Sequence, residues 1–140
     1  MDSVRYYIAG DFVFERGAIH LLERYKQLID YSQLRYGAIT PTDIDGSIEY
    51  RDRCWVFYEF KHISAPPMSV GQKKAFQRLT NDISKPALFL FAKHDRAPEQ
   101  QINAAALHVS CYLINGDWGV PKTPVTIKEA SDRFIARWGC

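Results

Sequence analysis

Cysteine is scarce in this chain, and the three present, Cys54, Cys111 and Cys140, are widely spaced with no Cys-x-x-Cys pair. An odd, scattered set excludes both a disulfide framework and a zinc ribbon and points to reduced thiols. Cys54 and Cys111 fall in apolar segments, where they are expected as small core residues. The four histidines add no zinc site, because none has a partner at ligand spacing. Long apolar runs are also missing: none approaches the ~20 residues of a membrane helix, so no membrane partner is expected. The opening "MDSVRYYIAG" has an acid at its second position and no apolar stretch followed by small residues, which is not a secretory signal, so the expected compartment is the cytoplasm. Charge of one sign is scarce as well. Eighteen Lys and Arg against sixteen Asp and Glu leave a net charge of +2, too little to identify a nucleic-acid binder without regard to where the charges fall.

The 140 residues, 46% hydrophobic and 24% charged, have the size and composition of one soluble domain with a single core. "GAIHLLERYKQLIDYSQLR" (17–35) spaces Ile19, Leu22, Tyr25, Leu28 and Ile29 as an amphipathic helix would, with Gly37 to end it. From "AITPTDIDGSIEY" the period shortens to two: Ile44, Gly46 and Ile48 alternate with Asp43, Asp45 and Ser47, which predicts a strand. "RDR" is a polar turn and "CWVFYEF" the return strand of a hairpin. Ser69 is placed to cap a helix over about 70–83, with Val70, Ala75, Phe76, Leu79 and Ile83 inward. "ALFLFAKH" (87–94) and "AALHVSCYLI" (105–114) read as two further strands. "NGDWGVPKTP" reads as a loop, and Thr126-x-x-Glu129 as the capping box of a last helix reaching about Trp138. One mixed sheet flanked by helices, an α/β sandwich, is the simplest packing of that order.

The chemistry concentrates in "WVFYEFKH" (55–62). A strand so apolar is expected to be buried, yet it carries Glu59 and Lys61, and burying charges costs several kcal/mol of hydration that only good partners return. Residues two apart on a strand share a face, so Glu59 and Lys61 point together, as do Asp43 and Asp45 on the partner strand. A hairpin brings the two sets to one edge of the sheet. Carboxylate oxygens are the ligands that Mg²⁺ takes, with waters and phosphate oxygens completing its shell. A lysine beside them can orient or help deprotonate a water, or stabilise phosphate charge. The implied chemistry is metal-assisted phosphodiester hydrolysis. Basic residues also gather around this segment, at Arg51 and Arg53, Lys61 and His62, Lys73, Lys74 and Arg78, and Lys93, His94 and Arg96.

An Asp followed across a hairpin by Glu-x-Lys, here "PTDIDG" (41–46) and "EFK" (59–61), resembles the PD-(D/E)XK nuclease superfamily, in element order from about residue 17 to 94. The resemblance implies a single-domain restriction-endonuclease-like fold over 1–140 and a DNA endonuclease dependent on Mg²⁺ or Mn²⁺. Carried over by residue, it makes Asp45, Glu59 and the carbonyl of Phe60 metal ligands and gives Lys61 the attacking water. Asp43 is either a second ligand or a substitute for Asp45. On the helix after the lysine, Gln72 takes the position of a catalytic glutamine, with Phe76 where one branch of the family has tyrosine. An acid from the first helix would be Glu23 rather than Glu15. Lys73, Lys74 and Arg78 are the expected DNA-binding residues, and a two-fold homodimer is the expected assembly. The alternatives are a nuclease fold without catalysis that binds nucleic acid or protein, and an unrelated α/β protein in which Glu59 pairs with Lys61 or with a neighbouring arginine.

Overall fold

The computed structural model describes residues 29–140 and, before them, the strands β1 (Val4–Ile8) and β2 (Phe12–Arg16). The chain separates into two compact units. The smaller comprises Met1–Pro41 with Ala97–Gln101, and the larger comprises Thr42–Arg96 with Ile102–Cys140. In the smaller unit β1 and β2 form an antiparallel hairpin from Val4 opposite Arg16 to Ile8 opposite Phe12. The periodicity did not announce it. The helix expected over 17–35 lies outside the described residues up to 28, and from 29 on it is absent. There the Asp30 carboxylate accepts the Ser32 N–H at 2.9 Å, and this local turn competes with helix formation. Gly37, at φ +66°, sits inside the tight Tyr36–Ile39 turn rather than capping a helix.

In the larger unit β3 (Gly46–Tyr50), β4 (Cys54–His62), β5 (Ala87–His94), β6 (Val109–Ile114) and β7 (Asp117–Gly119) form one sheet in that spatial order. Only β4 and β5 run parallel, joined by the crossover helix α1 (Val70–Asp82). The last helix is α2 (Ile127–Trp138). The mixed-sheet α/β sandwich is therefore as expected. No helix among the described residues is long and apolar enough to cross a membrane.

Strand alternation sorts the core onto two faces. Val56, Leu88, Leu90 and Ala92 pack with Ile127 and Phe134 of α2, whereas Phe57, Phe89, Phe91 and Leu113 pack with Phe76 of α1. Phe76 stacks on Phe89 at 4.3 Å between ring centroids. Both faces of β5 are thus covered, which explains why Ala87–Ala92 has no alternation at all. On the α2 side the Tyr58 hydroxyl and Ser131 Oγ hydrogen-bond at 2.8 Å, tying β4 to the helix.

The helix caps are as the sequence predicts. Ser69 Oγ accepts the Gln72 N–H, and Thr126 and Glu129 form a reciprocal capping box. Two expected inward residues of α1 do not hold: Val70 is 68% exposed and Ala75 is exposed, while Thr80 is buried. Val70 belongs to the first turn, short of the sheet, and Thr80 satisfies its hydroxyl on the Phe76 carbonyl at 3.0 Å. The supposed loop after β6 is in fact a hairpin. Asn115 and Gly116 both take positive φ, 46° and 92°, which is the two-residue turn that suits strand twist, and β7 follows.

Candidate active site

Glu59 lies near the carboxyl end of β4 on the α1 face and is 5% exposed. Its neighbour across the parallel pair is Phe91. The β3–β4 register ends with Gly46 opposite Tyr58, and just before it the Asp45 N–H donates to the Tyr58 carbonyl at 3.1 Å, which brings Asp45 beside the end of the pairing next to Glu59. Asp43 and Asp45 therefore precede β3 rather than lying within it, and both are exposed. What fixes Asp45 is its side chain, since Oδ2 accepts the Phe60 N–H at 2.7 Å. In a strand pair a residue's N–H and C=O turn to the same side, so the Phe60 carbonyl also faces the β3 edge, beside Asp45.

Electrostatically these groups form one set. Burial pushes the Glu59 carboxyl up to about 7 from the ordinary 4.5, and the Asp45 and Asp43 carboxylates push it the same way, while Lys61 and the Asp45 N–H act against them. Glu59 Oε2 is buried and has no hydrogen-bond partner. Among the described residues, no ion pair within 4.0 Å joins Glu59 to Lys61 or to an arginine. A buried carboxylate oxygen lacking a partner costs about 1–3 kcal/mol or more. Lys61 sits two residues on, half-buried on the same face.

The groups that could hold a divalent cation are the Asp45 and Glu59 carboxylates and the Phe60 carbonyl. Among the described residues no three His, Cys, Asp or Glu side chains converge closely enough to hold a metal by themselves. Two carboxylates with waters and a phosphate are nonetheless an ordinary Mg²⁺ set.

The helix residues divide. Gln72 is half-buried in the first turn of α1, and Phe76, where a tyrosine would stand, is a core residue with no exposed edge. Lys74 and Arg78 are exposed and four apart, so they share a helix face, and Lys73, also exposed, lines a cavity. Glu23 lies outside the described residues, and Glu15 is in β2.

That cavity, about 410 Å³, was not read from the sequence. Its wall includes Lys61, Lys73, Lys93, Phe91, Cys111 and Trp118. A signal did exist. "EFKH" and "FAKH" both close on Lys-His, and parallel pairing puts Lys61 beside Lys93 and His62 beside His94. The two imidazoles meet edge to face at 5.4 Å, with Nδ1 of each accepting a backbone N–H, from Ser64 and Arg96 respectively. Trp118 packs edge-on against Phe89 at 6.2 Å, so one part of its ring anchors β7 and another faces the cavity. Cys54 is buried at 1% exposure as expected, but Cys111 is only half-buried.

Compared with known proteins, the chain matches no family model, no curated protein and no solved structure.

Proposed function

We propose that the protein is a Mg²⁺- or Mn²⁺-dependent DNA endonuclease with a restriction-endonuclease-like fold and a PD-(D/E)XK site made of Asp45, Glu59 and Lys61. The observation that carries this reading is Glu59: a buried carboxylate with an unpartnered oxygen, raised toward neutrality beside two further carboxylates, with no basic partner within ion-pair distance among the described residues. A divalent cation would relieve both deficits at once, which burial in a purely structural role would leave uncompensated.

Asp45 and Glu59, with the Phe60 carbonyl, would hold the cation, and Asp43 adds negative charge to the set. When bound, the cation would neutralise charge on the phosphate and lower the cost of forming the nucleophile. The protein's own contribution is rigidity and hydrogen bonding. Asp45 is locked by the Phe60 N–H, and the pairing of β4 with β5 through Glu59 and Lys61 keeps the two in fixed relation. The Lys61 ammonium donates to the attacking water or to a non-bridging phosphate oxygen, and half-burial strengthens that bond over one in open water. Water attacks phosphorus and gives up a proton to solvent, the P–O bond to the departing sugar breaks, and the departing oxygen takes a proton from solvent. Lys74 and Arg78, on the open face of α1, would contact the DNA backbone. One site per chain favours a two-fold dimer for cutting both strands.

The test joins two measurements. Calorimetric titration with Mg²⁺ or Mn²⁺ should detect binding that Glu59→Ala and Asp45→Ala abolish. A plasmid-nicking assay should detect cleavage that Lys61→Ala loses while it still binds metal. A parent protein that binds neither ion and cuts no plasmid would sink the nuclease reading. Salt-sensitive DNA binding without metal binding would instead favour a nucleic-acid-binding module.

A further inference from the structure

The three lysines around the cavity carry an inference of their own. Lys61 comes from β4, Lys93 from β5 and Lys73 from α1, and among the described residues no acidic side chain lines the space between them. None of the three forms an ion pair within 4.0 Å among the described residues. Lys61 and Lys93 are register partners on adjacent strands, so two like charges stand side by side, which is unfavourable unless an anion lies between. Cys111 reports the same convergence from the floor of the cavity: burial raises its thiol, while Lys73 and Lys93 both pull it down. The position is also one that α/β sheets favour for ligands, at the carboxyl ends of the parallel strands β4 and β5.

The rest of the wall is not that of a bare anion site. Phe91 and Met68 are buried, and Pro66, Pro67 and the Trp118 ring complete an apolar lining. An anion held by three ammoniums and joined to a flat, apolar body would use both kinds of surface. About 410 Å³ falls within the ~300–1,000 Å³ usual for small-ligand pockets. We infer that this cavity binds a single nucleoside phosphate, its phosphate among Lys61, Lys73 and Lys93 and its base against Trp118. The nucleotide comes either from the phosphorylated end of a nucleic-acid strand or from a free nucleoside monophosphate. A strand end seated there would run past Glu59, and this last step alone rests on the nuclease reading. Lys61 would then serve both the cavity and the cleavage site.

Binding can be measured without cleavage, in EDTA, by fluorescence anisotropy of a short labelled single strand bearing a 5′ phosphate, a 3′ phosphate or neither. One phosphorylated form should bind at least about tenfold more tightly than the unphosphorylated strand, a difference of ~1.4 kcal/mol. Lys93→Gln and Lys73→Gln should each remove most of that preference, and Trp118→Ala should weaken the phosphorylated strand selectively. Both lysines are exposed, so melting temperatures should be unchanged, which separates lost binding from lost folding. Free dAMP identifies the source: competition at concentrations near the strand's own dissociation constant points to free nucleotide, and weak competition points to a strand end. Equal binding of all three strands together with no binding of dAMP would overturn the inference, whatever the plasmid assay gives.

Discussion

Glu59→Gln is the perturbation with the most to decide. In the folded chain the Glu59 carboxyl keeps its proton up to about 7, against an ordinary value of 4.5. Between those two values the folded state binds a proton that the unfolded state has released, so stability falls as pH rises. The contribution of the neutral carboxyl is fully present below 4.5 and is lost as pH passes through the folded value near 7. At ~1.4 kcal/mol for each pH unit separating the two values, the whole effect is about 3 kcal/mol. Glutamine keeps the shape and cannot ionise. In EDTA the parent should therefore lose about 3 kcal/mol more than Glu59→Gln between about pH 4.5 and pH 8, measured by urea unfolding. Groups that titrate in both proteins cancel from this comparison, and so does any fixed cost of burying the amide. Mg²⁺ at a hundred times its dissociation constant should return ~2.7 kcal/mol to the parent at the upper pH and nothing to the variant. Parallel pH curves for the two proteins would refute the picture of a buried, repelled carboxylate and remove the main support for a metal site.

Asp45 separates charge from hydrogen bonding: Asp45→Asn keeps an acceptor for the Phe60 N–H and should leave stability near that of the parent, while Asp45→Ala should cost about 0.5–1.5 kcal/mol in urea unfolding, and both should lose Mg²⁺ binding by calorimetry. Replacing Lys74 and Arg78 together by Ala should reduce the slope of log K against log salt for DNA binding by roughly one unit per lost phosphate contact, and an unchanged slope would make that face plain solvated surface. Gly116→Ala should lower stability by about 1 kcal/mol or more, seen as a lower melting temperature, because φ is +92° and a Cβ would come within 3.1 Å of Asn81 Oδ1. Thr126→Ala should cost about 0.5–2 kcal/mol by removing the capping box of α2, with no effect on metal binding.

What the sequence made legible follows from where local signals are strong. β4 and β5 were readable because runs of aromatic and branched residues bounded by polar turns have few other uses, and Glu59 stood out because it interrupts such a run. The two later helices carried explicit caps at Ser69 and Thr126. The Ile29–Arg35 stretch misled because apolar spacing alone cannot tell whether a layer is present to cover it. Ile29 and Leu34 are exposed, at 71% and 49%. β7 was missed because Asp117–Gly119 is too short for any periodicity, and only the Asn115–Gly116 pair marked a turn. The lysine cavity was illegible for a different reason. Lys61, Lys73 and Lys93 are brought together by the parallel register and by the packing of α1 on the sheet, and neither is written in the spacing of one segment.

The register also explains why opposite charges gather so close without neutralising one another. At Glu59 and Lys61 β4 pairs with β5 alone, and on its other edge, beyond the last β3 pair at Tyr58, Asp45 takes the place of a strand partner. Asp45 arrives from the β3 side and is held there by the Phe60 N–H, whereas Lys93 arrives from the β5 side opposite Lys61. Negative charge therefore accumulates at one margin of β4 and positive charge at the other, and the rigid sheet keeps the margins from collapsing into ion pairs. A structural salt bridge would need the reverse, an acid and a base free to approach. A phosphodiester bound through a cation on one side and through ammonium groups on the other is the kind of ligand that uses both margins at once. On that argument, reversing only one margin, as in Lys93→Glu, should weaken binding of a phosphorylated strand in EDTA while leaving Mg²⁺ binding at Asp45 and Glu59 in place.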